Sequence, residues 1–522
     1  MTKIHEGQNG SAVTATRPYI DTLVCRLEAA GASPVVRYHG QNTTAEELLA
    51  SIYRYARALA GLGIARGDLV ALFAPNCSDA LAVRYAANLI GAAAVYLSAP
   101  KVPQDRAELV RQLAPSLLVL FSETAHLCPS GLLVPVAAVG ADVADASLDL
   151  GAMAASQASS PVQSLARSGD LAVVISSGGT TGVPKGSRRD FAAYTATVDV
   201  PSPADRRQLI NGRLAYLSQV LVDVTLLGGG TVVLQDQYDA ADTLAAIEAE
   251  RITDLFLVEP QLFEVMDHPD VARRDLSSLR AVTHVGASAP ATLRLRARER
   301  LGPVLAHTYG ASEMGLVSAL SPVEHDLLHP EVFTCAGRIL SGVNIRFRRT
   351  DGALARPGEP GIIEVRSPTM AGGYRNRPDL EAAAFADGWY CSGDLGFLDG
   401  DGHLHVLGRA VDVAWVDGAM VSPPLIQDTL CRLPEVRYAV VVVDREAGGW
   451  TAAVVPWPGS SADSERCRAE IIARHGIAAA RPFAIVLLDR VPLTEQGKPD
   501  RVAIRELGRR TKEQQAAIVL TS

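Results

Sequence analysis

Two spacings of apolar residues alternate along this chain. From Thr43 onward, "TTAEELLASIYRYARALAGLG" places Leu48, Leu49, Ile52, Ala56 and Leu59 at helical intervals. Thr44 and Glu47 stand three apart just before that run, the spacing of a capping box. "DLVALFA" follows as a short, continuous apolar run and predicts a buried strand. "SDALAVRYAANLIGAAAVYLSA" repeats the pair, helix then strand. The alternation continues through "TVVLQ", "AADTLAAIEAERI", "DLFLVEP" and "LRAVTHVG". Strands that alternate with helices predict an α/β chain with parallel sheets covered by helices. Ligands in such folds sit at the carboxyl ends of the strands.

The texture changes twice. Residues 154–169 are rich in Ser and Ala and predict a surface connection. From about Val343, short strands ("VNIRFRR", "GIIEVRS", "GHLHVLG") are separated by Gly, Pro and Asp turns. After about residue 411, two strands ("YAVVVVD", "WTAAVVPW"), a helix ("SERCRAEIIARHG") and another strand ("FAIVLLD") predict a small α+β domain.

Composition narrows the class. The chain has 522 residues, 48% hydrophobic and 20% charged, which suits a globular protein of more than one domain. A net charge of -8 without a long basic block argues against nucleic acid as a partner. No run of about 18 apolar residues predicts a membrane span. The leading "MTKIHEGQNGSAV" lacks the apolar run of a secretory signal. The seven cysteines are scattered without a CxxC pair, as reduced thiols in a cytoplasmic protein would be.

The candidate chemistry begins at "VISSGGTTGVPKGSRR" (174–189). "DLAVVIS" reads as a strand, and the glycines after it let successive N–H groups converge on one anion. Ser177, Thr180 and Thr181 add hydroxyls, Gly182 adds freedom and Lys185 adds positive charge. The loop predicts a phosphate cradle. It is not the GxxxxGK[ST] loop, because a proline precedes the lysine and a glycine follows it. Three later segments carry reactive side chains: "AHTYGASEMG" (306–315), "DGWYCSGDLGFLDGDGHLHVLGR" (387–409) and "PLTEQGKPDR" (492–501). Each is ambiguous alone, since Tyr-Gly turns, Asp after Gly and loop lysines are common.

Taken in order, the four segments resemble the adenylate-forming superfamily of acyl- and aryl-CoA synthetases, nonribosomal peptide adenylation domains and luciferases. The resemblance runs from about residue 40 to 505. It implies an α/β fold with a large N-terminal AMP-binding domain (1–408), which has parallel-type sheets and a small β-barrel-like subdomain. A small, rotating α+β C-terminal domain (409–522) would follow. It implies ATP and Mg²⁺ as cofactors. Ser177, Thr180, Thr181, Gly182 and Lys185 would hold the ATP phosphates. Tyr309 and Gly310 would lie near adenine, beside the turn at Gly286 and Ala287. Ser312 would stand near the α-phosphate, where the family usually has Thr, and Glu313 would bind Mg²⁺. Asp394 would accept from both ribose hydroxyls, with Arg409 also facing the nucleotide. Lys498 would reach the reacting carboxylate and the α-phosphate. On this resemblance, Lys498, Lys185 and Ser312 are the catalytic set.

The match departs after "GR". The family usually continues "xDDxIKxxGxxV", whereas this chain reads "GRAVDVAWVDGAMV". Val411 stands at the hinge, and Ala414 and Trp415 replace the "IK" pair. Upstream, "AYLSQ" (215–219) stands where the family often has "PLFH". Because the post-hinge region helps place the thiol, the departure bears on CoA as acceptor and leaves adenylation intact.

The expected activity is therefore activation of a small-molecule acid, with an aromatic carboxylic acid preferred, as its AMP anhydride. Transfer to a small-molecule acceptor, CoA first, would follow. The acid pocket is expected beside a helix after the phosphate loop that carries Phe191 and Tyr194, with Arg188 and Arg189 at its start. A carrier protein is an alternative acceptor, although no fused carrier domain is expected after residue 505. Two other readings stand beside this one. A diazotase would activate nitrite and pass it to an arylamine or hydrazine without CoA. A non-catalytic nucleotide-binding relative would have little use for Lys498, Glu313 and Asp394 together.

Overall fold

The computed structural model describes residues 17–100, 102–140, 146–177, 185–285, 290–416, 419–446, 449–480, 483–494 and 496–521. Two large sheets dominate. In the nine-stranded sheet the centre is parallel: Ala281–Val285, Asp254–Leu257, Arg207–Ile210, Thr231–Leu234 and Pro34–Tyr38 run side by side. Leu305–Ala311 extends the parallel set, and Gly315–Leu320 returns antiparallel beside it. The seven-stranded sheet is parallel from Leu148–Asp149 to Leu171–Ser177, and the returning strand Lys185–Asp190 closes it antiparallel. A smaller five-stranded sheet is antiparallel and carries Trp389–Leu398 and Leu404–Arg409. The predicted α/β class is what the chain adopts.

Helices from both large sheets meet in one apolar core. Ala45–Gly61 starts at the predicted capping box: Thr44 Oγ1 accepts from the Glu47 N–H at 3.2 Å, and Glu47 Oε2 accepts from the Thr44 N–H at 2.8 Å. The core also encloses a charge. Arg84 donates to both carboxylate oxygens of Asp223 at 2.8 and 2.7 Å, and the hydroxyls of Tyr85 and Tyr194 donate to the same carboxylate at 2.5 and 2.6 Å. Both charged side chains are essentially solvent-free. The tetrad ties three helices together, Ser78–Leu89, Phe191–Val198 and Leu217–Leu227.

The C-terminal part builds a three-stranded sheet from Val436–Asp444, Gly449–Pro456 and Phe483–Leu487, with helices Pro423–Cys431, Ser464–His475 and Arg501–Thr521. It seats on the helix Glu259–Met266. Tyr438 stacks on Phe263 with ring centroids 4.0 Å apart, and Tyr438 and Gln427 both donate to Glu259. Arg296, Arg300 and Arg437 surround Asp267 at the same junction. Among the described residues, no helix is long and apolar enough to cross a membrane.

Candidate active site

The phosphate-loop candidate lies at a hairpin. Ser177 ends one strand and Lys185 begins the next, and the two residues pair in register. Thr180, Thr181 and Gly182 lie outside the described residues, as do Gly286 and Ala287. The Lys185 ammonium sits 5.3 Å from the ring centre of Tyr374. The Tyr374 hydroxyl in turn donates to Glu313 Oε1 at 3.0 Å. One aromatic ring thus connects the base of the loop to the expected metal ligand.

Glu313 sits in the turn between Leu305–Ala311 and Gly315–Leu320. Gly310 makes this turn feasible, because a Cβ there would stand 2.4 Å from the Gly315 carbonyl oxygen. Ser312, in the same turn, lines a cavity of about 1130 Å³. Ser187 pins the turn from beneath, donating to the Ser312 carbonyl at 3.1 Å. Glu313 is buried and has no ion pair among the described residues. A buried carboxylate is the kind of oxygen ligand that a hard divalent cation takes together with substrate phosphates.

Asp394, Tyr309 and Arg409 form a second group. The Tyr309 hydroxyl donates to Asp394 Oδ2 at 2.7 Å, and Arg409 Nε lies 3.1 Å from Oδ1. Arg409 also donates to the Ser392 carbonyl at 2.7 Å. Burial raises the Asp394 pKa, and the Arg409 charge and the Tyr309 hydrogen bond oppose it. The pairing of Trp389–Leu398 with Leu404–Arg409 sets this geometry, since Asp394 and Arg409 are directly opposite in register.

Lys498 comes from the C-terminal part. Its loop is closed by hydrogen bonds from the Thr494 N–H to the Lys498 carbonyl at 2.8 Å and from the Asp500 N–H to the Pro492 carbonyl at 2.8 Å. Gly497 has φ 74° and packs on Gln261, so the turn both requires a glycine and approaches the helix Glu259–Met266. Lys498 lines the same cavity as Ser312 and Gly310. Burial lowers its pKa, and the Glu313 charge opposes that shift. Lys498 and Glu313 are therefore electrostatic neighbours although 185 residues of sequence separate them.

Residues 26–375 match the AMP-binding enzyme family. The chain belongs to that family. It is an ATP-dependent, AMP-forming ligase. It is 31% identical over 512 residues to the medium/long-chain-fatty-acid–CoA ligase FadD8 of Mycobacterium tuberculosis, covering 92% of this chain and 89% of that one. It is 30% identical to the feruloyl-CoA synthase of an Amycolatopsis species, covering 89% and 93%. Among solved structures, the amide bond synthetase McbA from Marinactinospora thermotolerans is similar, with a TM-score of 0.82 and 31% identity, covering 94% of this chain and 99% of that one.

The expected acid-pocket helix is corrected in two respects. Arg188 and Arg189 do not start a helix; they lie on the strand Lys185–Asp190, and the helix begins at Phe191. Phe191 and Tyr194 face the core with Tyr19, not the cavity. The cavity wall from that helix is instead Ala196 and Thr197, with Val200 just after it. Arg188 pairs with Glu381 at 2.7 Å. The "AYLSQ" segment does reach the cavity, where Tyr216, at φ 71°, leads into the helix Leu217–Leu227. At the expected hinge position, Val411 is exposed, and Asp412 pairs with Arg445 at 3.0 Å and Arg501 at 3.2 Å.

Proposed function

We propose that this ligase activates a carboxylic acid with an apolar, aromatic-sized body as its acyl-AMP, releases pyrophosphate and passes the acyl group to CoA. The observation that carries this reading is Lys498, which enters a largely apolar cavity beside Ser312 and Glu313. In the first step a carboxylate oxygen attacks the α-phosphorus of ATP and the bond to pyrophosphate breaks. Two anions must be held in line, so positioning and charge compensation do most of the work. The Lys498 ammonium would compensate the carboxylate and the α-phosphate. Lys185 and the loop before it would hold the departing phosphates. Asp394 would accept from the ribose hydroxyls, with Tyr309 and Arg409 fixing its carboxylate. Glu313 would hold Mg²⁺, which neutralises charge on the leaving pyrophosphate. None of the seven cysteines is joined in a disulfide among the described residues, which supports a cytoplasmic setting.

A second acceptor is favoured by one specific observation. The segment after the expected hinge places Ala414 where the thioester-forming pattern has its paired residues, and the similar protein McbA is an amide bond synthetase. In this variant an amine nitrogen attacks the acyl-AMP carbonyl, AMP leaves, and the nitrogen loses a proton to give an amide.

Acid-dependent ATP–pyrophosphate exchange tests the first step, with aryl acids, fatty acids, amino acids and nitrite as candidates. Exchange with an aryl or other apolar organic acid is expected. Exchange with nitrite alone would replace this reading with the diazotase. Adding CoA or an amine to the active acid then identifies the acceptor from the product formed.

A further inference from the structure

Arg189 is a buried cation with no ion pair among the described residues. Its side chain is 2% exposed and lines the cavity. Nε donates to the Thr369 carbonyl at 2.9 Å, but the buried Nη1 has no hydrogen-bond partner, and among the described residues no carboxylate forms an ion pair with it. The Glu313 charge reaches Arg189 without forming an ion pair with it. Arg84 and Arg294 also each leave a buried Nε without a hydrogen-bond partner, but Arg84 is matched by Asp223, and neither of the two lines the cavity as Arg189 does.

A buried guanidinium with an unused donor is costly unless something completes it. The strand Lys185–Asp190 aims it there. Ser187 and Arg189 share one face of that strand, and Ser187 is bonded beneath Ser312. Arg189 therefore emerges two residues farther along, in the wall of the cavity. The group it awaits must stay anionic throughout. The carboxylate that is activated loses its charge on becoming an acyl-AMP, so it would leave Arg189 orphaned again after the first step.

We propose that Arg189 binds a second carboxylate on the acid substrate, so that the preferred acid is a dicarboxylate with an apolar spacer. This rests on the carboxylate-activating reading above. Arginine suits the task because its planar fork takes both oxygens of a carboxylate.

The test is pyrophosphate exchange with matched pairs of acids, each monoacid set against the same skeleton bearing a second carboxylate at several spacer lengths. The wild type is expected to favour at least one diacid over its monoacid by about tenfold or more in kcat/KM. Arg189→Met should erase that preference through a raised KM for the diacid, leaving the KM for ATP unchanged, and Arg189→Lys should restore part of it. If monoacids exchange as well as or better than every diacid, or if Arg189→Met keeps the wild-type ratio, the proposal is overturned while acid activation stands. If no organic acid supports exchange, acid activation itself fails and this inference with it. Should Arg189→Met prove insoluble, the wild-type ratio and the Arg189→Lys variant decide.

Discussion

The hydroxyl of Tyr438 donates to Glu259 Oε1 at 2.5 Å, across the junction between the C-terminal part and the helix Glu259–Met266. Gln427 donates to the same oxygen at 2.5 Å. Burial pushes the Glu259 carboxyl up to about 7, against the pull of these two hydrogen bonds. A raised carboxyl pKa means that the junction prefers the protonated form. Its contribution is fully present below the ordinary value of 4.5 and is lost as pH rises through about 7. The wild type should therefore lose thermal stability relative to Glu259→Gln between pH 5 and pH 8, because the amide is neutral at both. Parallel melting temperatures across that range would show that Glu259 does not titrate at the junction.

Lys498→Ala should lower pyrophosphate exchange by about 100-fold or more while leaving the Kd for ATP nearly unchanged. The ammonium compensates charge that is arranged in line only during attack, so its loss falls on the transition state. Exchange rates and equilibrium nucleotide binding, measured on the same preparation, separate the two effects. An exchange rate within a fewfold of wild type would remove Lys498 from the chemistry.

Asp394→Ala should weaken nucleotide binding by roughly 2–3 kcal/mol, since hydrogen bonds to a charged acceptor are lost. Its second effect is local: Tyr309 loses its hydroxyl acceptor and Arg409 its counter-ion. Tyr309→Phe separates the two contributions. It should weaken binding by less, because the carboxylate remains and only its orientation loosens. Titration of AMP by calorimetry reads both variants, and equal losses would mean that Asp394 acts mainly through Tyr309.

Parts of the fold, including elements that frame the candidate site, were legible because they are local. The Thr44 and Glu47 box, the strand ending at Ser177 and the Gly310 turn each depend on neighbours in sequence. What escaped depends on distant packing. The strand Lys185–Asp190 reads "KGSRRD", which has no apolar alternation, and only its partner Leu171–Ser177 makes it a strand. Arg189 thus reads from sequence as part of a helix start, although it is among the most buried charges of the described residues. Glu259 precedes a proline and resembles an ordinary first-turn acid. It is buried only because Tyr438, 179 residues away, is seated on it. Tyr216 takes a positive φ, which a tyrosine does not advertise.

The Arg84–Asp223 tetrad allows a sharper test of the core. Asp223→Ala leaves a guanidinium stranded between helices and removes the acceptor of two tyrosine hydroxyls, so it should destabilise by about 3–5 kcal/mol. Replacing both charges, with Arg84→Met and Asp223→Leu together, removes the stranded ion and keeps apolar volume. The double variant should be more stable than Asp223→Ala alone, because a buried pair gains little over packed apolar residues while a broken pair costs a great deal. Urea midpoints of the three proteins give the order directly. If the double variant unfolds no later than the single one, the tyrosine hydroxyls, which both variants strip of their acceptor, outweigh the stranded arginine as the source of the loss.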